Sequence, residues 1–296
     1  MDVKQAILLI LVLVLIALLV FSRGYRTARR VSLPRAETEK PTEDQSLNQK
    51  VSVDATNQDQ HKNGEIMPED HQYTVYVSRE ELLGHIDPAS DDHFVLIDPA
   101  YANRSGMYLR REAYEAFLKM REAALEDGVA LRVLSATRDF AHQRRIWENK
   151  WHGRQVLYGN IVATDIDDPV ERAREILRFS AMPGTSRHHW GTDVDLNSLV
   201  NSYFESGEGK RIYDWLQANA DDYGFCQPYT RHGEARIGGY EEEKWHWSYL
   251  PLSSQFLKAY KEMITYKDIT GFSGSEVAVK LDVITHYVID INQACQ

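Results

Sequence analysis

Cysteine is scarce in this sequence, which has only Cys226 and Cys295 among its 296 residues. Two cysteines cannot build a cysteine-based zinc finger or a disulfide-dense scaffold. They could form one disulfide if the domain lies outside the cytoplasm, or they could remain two free buried thiols. The sequence alone leaves both possibilities open.

Basic residues are fewer than acidic ones. The chain has 34 lysines and arginines against 44 aspartates and glutamates, so its formal net charge is -10. Proteins bind DNA or RNA largely by neutralising phosphates and releasing their counterions, from which an acidic protein gains little. We therefore expect no nucleic-acid partner.

Long apolar runs are also rare, and the one near the N-terminus covers Ala6 to Phe21. A membrane-spanning helix needs about twenty apolar residues, with a lower limit of about seventeen, so this run with Ser22 and the stem of Lys4 could span. A cleaved signal peptide is the alternative. No small-x-small cleavage site follows, and no cysteine follows that could carry a lipid. We expect residues 1–22 to be an uncleaved single-pass anchor.

The next segment, residues 23–72, is polar and has no periodicity. It is rich in Glu, Gln, Asn, Asp and Lys and poor in aliphatic residues. This composition cannot bury enough apolar surface to fold, so we expect a disordered tether.

From Tyr73 onward the composition is typical of a globular protein, and hydrophobic residues make up 43% of the whole chain. Helical and strand periodicities are mixed irregularly, which favours an α+β fold over a doubly wound sheet. The patterns predict helices over 110–127, 140–150, 169–179, 209–222, 256–266 and 276–291, and strands over 129–136, 192–196 and 244–249.

Two short stretches carry most of the reactive side chains. Residues 186–195 read SRHHWGTDVD, and residues 243–246 read EKWH. Together they supply three imidazoles and three carboxylates. This is enough for one zinc ion with three protein ligands, an open coordination position and a nearby general base.

Local geometry decides which of these groups can meet. Alternate residues of a strand share one face, so Asp193 and Asp195 point the same way. Gly191 permits a tight bend that could return His188 to Asp195. Glu243 precedes His246 by three positions, so it reaches the same face only if the chain bends at Lys244.

The two stretches, with the upstream Ser-x-x-Arg of Ser135 to Arg138, resemble the zinc D-alanyl-D-alanine carboxypeptidases of the VanY type in peptidase family M15. The resemblance covers roughly residues 131–249 and rests on Ser-x-His-x-x-Gly-x-x-x-Asp followed by Glu-x-Trp-His. It implies a small antiparallel sheet flanked by helices, as in the hedgehog and D,D-peptidase group. It departs from the usual pattern at Asp193, where alanine is usual.

The resemblance also implies roles for individual residues. The zinc ligands would be His188, Asp195 and His246, with zinc-bound water as nucleophile and Glu243 as general base. Arg138 would hold the substrate or the developing oxyanion, and its planar fork suits a terminal carboxylate. Ser186 could bind substrate or orient a ligand.

Several alternatives remain at this level. Arg144 or Arg145 could take the role of Arg138. Asp193 could be a fourth ligand of a purely structural zinc site, which would leave no position for water. A Ser186–His188–Asp195 triad is conceivable, although these residues are too close in sequence for a nucleophile elbow.

The function that this pattern favours is a membrane-anchored zinc carboxypeptidase that removes a terminal D-alanine from peptidoglycan stem peptides. An L,D-endopeptidase of the same group and a non-catalytic peptidoglycan-binding protein are the rivals. The peptidase domain would cover 73–252, with a C-terminal helical extension over 253–296.

Such an enzyme must face the cell wall, but the charges near the predicted anchor favour the opposite orientation. Five arginines follow the apolar run and only Lys4 precedes it, which by the positive-inside rule favours a cytoplasmic domain. Long domains translocate largely regardless of local charge, so we expect the domain on the cell-wall or periplasmic side.

Overall fold

The computed structural model of the protein describes residues 76–233 and 236–296. The predicted anchor (1–22) and tether (23–72) lie outside the described residues. Within the described ranges, every helix is too short or too polar to cross a membrane.

A four-stranded antiparallel sheet lies at the centre of the fold, in the order β3-β4-β6-β5. A separate antiparallel pair, β1-β2, lies outside it. This confirms the predicted α+β class and the small antiparallel sheet. The strands are Phe94–Leu96 (β1), Tyr108–Arg110 (β2), Val133–Ser135 (β3), Asp193–Leu196 (β4), Phe225–Cys226 (β5) and His246–Tyr249 (β6).

The register of β4 against β6 divides apolar from polar side chains. Val194 pairs with Trp247, and both lie in a core cluster that also contains Leu196. Asp195 pairs with His246 on the opposite face. Because side chains alternate along each strand, one face of the sheet is apolar and the other carries the titratable residues.

Helices surround the sheet, and one of them lies beside the polar face. This helix, α3, begins after Asp139, whose carboxylate accepts a hydrogen bond from the His142 N–H at 2.6 Å. The helices are Arg79–Leu83 (α1), Arg111–Glu126 (α2), Phe140–Trp151 (α3), Pro169–Leu177 (α4), Gly207–Asn219 (α5) and Leu250–Met263 (α6).

The C-terminal residues share a hydrophobic core with α3 and α4. Phe272 and Val288 lie in one cluster with Trp147, and the Trp147 indole N–H donates to the Ser273 carbonyl at 2.8 Å. The single helix predicted over 276–291 is wrong. Asp282 has a φ of 45°, which a continuous right-handed helix cannot contain, and only Ile284–Ile289 form a short π-helix after it.

Cys226 and Cys295 form a disulfide, with their Cα atoms 5.7 Å apart. The bond joins β5 to a residue 69 positions later. A cross-link that closes a loop of this length stabilises a fold by about 4 kcal/mol in the chain-entropy account. It fixes the C-terminal segment to the edge of the central sheet.

Candidate metal and catalytic site

The first stretch folds back on itself at a glycine. Arg187–Trp190 form a 3-10 turn that ends at Gly191, whose φ is +71°. A Cβ atom at this position would lie 2.4 Å from Cε1 of Phe94, so no larger residue fits without a shift. The bend returns His188 towards β4, as the sequence predicted.

The second stretch bends at Lys244. A turn covers Lys244 and Trp245, the His246 N–H donates to the Glu243 carbonyl at 3.2 Å, and β6 begins at His246. As a result, Oε2 of Glu243 lies 3.3 Å from Nδ1 of His246. The bend that the sequence required for this approach is present.

Three donor atoms converge on one point. Nε2 of His188 and Nδ1 of His246 each lie 3.3 Å from Oδ1 of Asp195, and the three atoms are all within 4.8 Å of one another. Tetrahedral zinc with bonds of about 2.0–2.1 Å holds its ligands about 3.3 Å apart. Among the described residues, Nε2 of His188 and Oδ1 of Asp195 are buried without a hydrogen-bond partner. Both observations fit a metal ion held by these three side chains.

A backbone carbonyl fixes the orientation of the His188 ring. Its Nδ1 lies 2.8 Å from the Ala136 carbonyl, to which it can donate only if it carries the proton. Nε2 then presents its lone pair to the convergence point. This arrangement does not suit the Ser186–His188–Asp195 triad, because a triad histidine donates to its aspartate through the ring nitrogen away from the serine.

Asp193 lies behind the other histidine rather than among the donors. Its Oδ2 is 2.8 Å from Nε2 of His246, the ring nitrogen that faces away from Asp195, and 3.0 Å from Nε of Arg187. It is outside the metal-capable group in the described part of the chain. The alternative of a closed four-ligand site that includes Asp193 therefore has no support.

The charges around the convergence point favour a cation. Burial opposes the ionisation of Asp195, but His188 and His246 outweigh it and hold the pKa of this carboxyl well below its usual range. Burial also opposes a charge on His246, yet the carboxylates of Asp193, Asp195 and Glu243 raise its pKa well above the ordinary value. The negative field that attracts a proton to Nδ1 attracts a divalent metal ion in the same way.

Glu243 has the environment of a proton acceptor. It is buried, and burial raises the pKa of its carboxyl, with His246 only partly opposing the shift. A carboxylate with a raised pKa is a better proton acceptor.

Arg138 follows β3 and is held against the first stretch. Its backbone N–H donates to the His188 carbonyl at 3.0 Å, and one guanidinium nitrogen donates to Oε1 of Gln143 at 2.9 Å. Another lies 3.6 Å from Oδ2 of Asp195. Arg144 and Arg145 are exposed on α3, outside the set of residues that line the site.

All six predicted site residues line one cleft of about 1020 Å³. The cleft is large enough for a peptide, and the three converging donor residues form part of its wall. The six are Arg138, Ser186, His188, Asp195, Glu243 and His246.

Sequence reasoning missed three neighbours of the site. Gln143 is fully buried and bridges Arg138 to the Ala181 carbonyl. Lys150 lines the cleft, and burial lowers its pKa to about 8. His142, Ile146 and Lys150 are spaced four residues apart, so they lie on one face of α3, and all three line the cleft. This spacing could have indicated from the sequence that Lys150 reaches the site. No sequence pattern indicated Gln143.

The third missed residue, Tyr229, connects the site to the C-terminal segment. Its ring lies 4.8 Å from that of His246 and 4.8 Å from that of Tyr240. The Tyr240 ring is 5.1 Å from that of Tyr287. A continuous series of aromatic contacts therefore runs from the C-terminal segment to the candidate metal ligand.

Part of this chain is similar to known proteins. Residues 106–252 match the family described as "VanY: D-alanyl-D-alanine carboxypeptidase". A putative carboxypeptidase, YodJ, of Bacillus subtilis is 30% identical over 149 residues, which cover 48% of this chain and 46% of that protein. A D-alanyl-D-alanine carboxypeptidase of Enterococcus faecalis is 29% identical over 134 residues, 45% of each chain. This chain thus spans less than half the length of these relatives.

Solved structures show similar chains at lower identity. The LdcB LD-carboxypeptidase is 24% identical, with a TM-score of 0.43, over 58% of this chain and 73% of that chain. A zinc complex of the vancomycin-resistance D,D-pentapeptidase VanY is 24% identical, with a TM-score of 0.42, over 64% and 92%.

We expect the purified protein to bind one zinc ion, and replacement of His188 or His246 by alanine to weaken binding strongly. The loss should exceed the about 10- to 100-fold that follows removal of a group which only supports a ligand. Chelator competition measures the affinity. His142→Ala is the matched control, because His142 lines the same cleft outside the donor group. Unchanged zinc affinity in His188→Ala would show that the metal lies elsewhere.

Proposed function

We propose that this protein is a zinc-dependent carboxypeptidase that trims peptidoglycan stem peptides, because residues 106–252 match the VanY family of D-alanyl-D-alanine carboxypeptidases. The substrate would end in D-alanyl-D-alanine, and the product would be the shortened stem and free D-alanine. The observation that carries the proposal is the meeting of a three-donor metal site, a buried carboxylate and a guanidinium in one cleft.

The metal would be held by His188, Asp195 and His246. When bound, zinc polarises the scissile carbonyl and lowers the pKa of the attacking water. This is the chemistry that amide hydrolysis needs, and the remaining steps fall to the side chains around the metal.

Glu243 moves the proton. Its carboxylate lies beside Nδ1 of His246, on the side of the ring that faces the donor group. It accepts the proton that the water loses on attack and delivers it to the leaving amine of the terminal residue. Burial keeps this carboxylate from competing contacts with bulk water.

Arg138 holds the end of the substrate. The Nε of this side chain is buried and lacks a hydrogen-bond partner among the described residues, while Gln143 fixes the far side of the guanidinium. The Arg138 side chain lines the cleft, where its guanidinium would bind a terminal carboxylate and set the scissile bond beside Glu243. Ser186, which lines the cleft two residues before His188, could contribute a hydroxyl to the same peptide.

Replacement of Glu243 by glutamine should lower D-alanine release from a pentapeptide ending in D-alanyl-D-alanine by about 10²- to 10⁴-fold. Zinc content should be unchanged, because Glu243 is outside the donor group. The assay is release of D-alanine by the purified 72–296 fragment with zinc and with a chelator.

Glu241→Gln is the matched control, since Glu241 lines the same cleft but pairs with Arg178. Equal losses in both variants, or release that persists with chelator, would contradict the mechanism. A cut elsewhere in the stem, with no D-alanine released, would instead favour the endopeptidase alternative. Absence of any cut in the zinc-loaded protein would favour a binding role.

Arg138→Gln should raise KM and lower kcat/KM for the acid substrate by about 10- to 100-fold, the range for a lost hydrogen bond to a charged group. The same peptide with a C-terminal amide should be a poor substrate for the unaltered protein. The variant should lose this discrimination between acid and amide. Arg144→Gln, an exposed change on α3 outside the cleft, should behave as wild type. An enzyme that cleaves acid and amide equally well does not recognise a terminal carboxylate.

For location, we propose that the apolar run of residues 6–21 anchors the protein in the membrane and that the catalytic domain faces the cell wall. The substrate lies there, and the Cys226–Cys295 disulfide is of a kind that persists in oxidising compartments outside the cytoplasm. The arginines after the run argue for the opposite orientation, which the translocation of a long domain can override.

In cells that make the full chain, external protease should remove the domain from intact cells or spheroplasts and leave the N-terminal segment with the membrane. A maleimide reagent should label Cys226 and Cys295 only after reduction. Protection from the protease, together with labelling before reduction, would place the domain in the cytoplasm.

A further inference from the structure

We propose that Asp193 and Arg187 are positioning residues that hold His246 with its Nδ1 towards the metal. This inference rests on the proposed function of the site. It concerns two residues that are outside the donor group and that no step of the hydrolysis uses.

The geometry behind His246 is specific. Asp193 lies two residues before Asp195 on β4, and the two carboxylates contact different ring nitrogens of His246. Oδ2 of Asp193 is 2.8 Å from Nε2, and Oδ1 of Asp195 is 3.3 Å from Nδ1. An ionised carboxylate can only accept, so Nε2 must carry the proton and donate it. The lone pair that binds metal is then on Nδ1.

The Asp193 carboxylate is itself held in place by three further donors. Nε of Arg187 donates to Oδ2 at 3.0 Å, while the hydroxyls of Ser248 and Thr192 donate to Oδ1 at 2.8 and 2.6 Å. A second guanidinium nitrogen of Arg187 donates to the Ser248 hydroxyl at 2.6 Å. This network leaves the carboxylate little freedom to turn away from His246.

Stability alone is a weak explanation for this pair. The side chains of Arg187 and Asp193 have no solvent exposure. Removal of two charges from water costs free energy that their attraction often fails to repay, and well-packed apolar residues are frequently as stable. The pair has instead a direct contact with one candidate ligand, at the ring nitrogen that sets its tautomer. Alanine at position 193 could make none of these bonds.

The test compares zinc affinity with folding in three variants. Asp193→Ala should weaken zinc binding by about 10- to 100-fold, the range for a lost partner of a ligand. Asp193→Asn keeps an acceptor oxygen and should fall between Asp193→Ala and wild type. The double variant Arg187→Met with Asp193→Ala removes both buried charges. Compared with Asp193→Ala alone, it should therefore recover the melting temperature of the protein but not its zinc affinity.

Two further measurements separate positioning from a general loss of structure. Met120→Ala removes buried side-chain atoms in α2, remote from the site in sequence, so it should lower the melting temperature and leave zinc affinity unchanged. In ¹⁵N-edited NMR of the zinc-loaded wild type, the Nε2 proton of His246 should be visible and protected from exchange. This protection should be lost in the double variant.

Wild-type zinc affinity in the double variant would overturn the proposal, even if the Glu243-dependent release of D-alanine stands. Conversely, a protein that releases no D-alanine but shows the expected order of zinc affinities would contradict the proposed function and support the role of Asp193. Recovery of zinc affinity together with melting temperature in the double variant would show that the pair serves stability only.

Discussion

The antiparallel pairing of β4 with β6 is the contact on which the site depends. Asp195 lies directly opposite His246 in this ladder, and Val194 lies opposite Trp247 on the other face. A slip of one residue would turn every side chain of one strand to the other face, so it would separate the carboxylate from the imidazole and expose the apolar pair. Burial of Val194, Leu196 and Trp247 therefore maintains the register that the reactive face requires. The remaining groups reach this face through bends at either strand.

The two bends use different means. At Gly191 the backbone adopts a left-handed conformation against the ring of Phe94, which a side chain would prevent. At Lys244 a turn precedes the strand and returns Glu243 to the ring of its own neighbour, His246. Both bends involve only a few neighbouring residues. They bring four titratable side chains together at the candidate metal site. The cleft then acquires its walls from α3 and from the segment around Tyr229, which are distant in sequence.

Much of this arrangement could be predicted from the sequence, because it depends on local rules. Alternation along β4 indicated that Asp193 and Asp195 share a face, and glycine at 191 indicated the bend. What the sequence did not indicate depends on tertiary partners. Strands β1 and β5 contain three and two residues, too few for a periodic signal. Gln143 contacts Arg138, and Arg187 contacts Asp193. No pattern in the sequence around Gln143 or Arg187 indicates these contacts. The helix expected over 276–291 fails at Asp282 because a single left-handed residue interrupts an otherwise suitable pattern.

The disulfide has a consequence for the order of assembly. Cys295 follows Cys226 by 69 residues, and β6 and α6 lie between them. In a chain that leaves the cytoplasm N-terminus first, β6 can pair with β4 before Cys295 has emerged. The donor group can therefore form while both thiols are still reduced, and oxidation then closes around a sheet whose register hydrophobic burial has already selected. On this route the disulfide would close only after the strands that carry the donor group had paired.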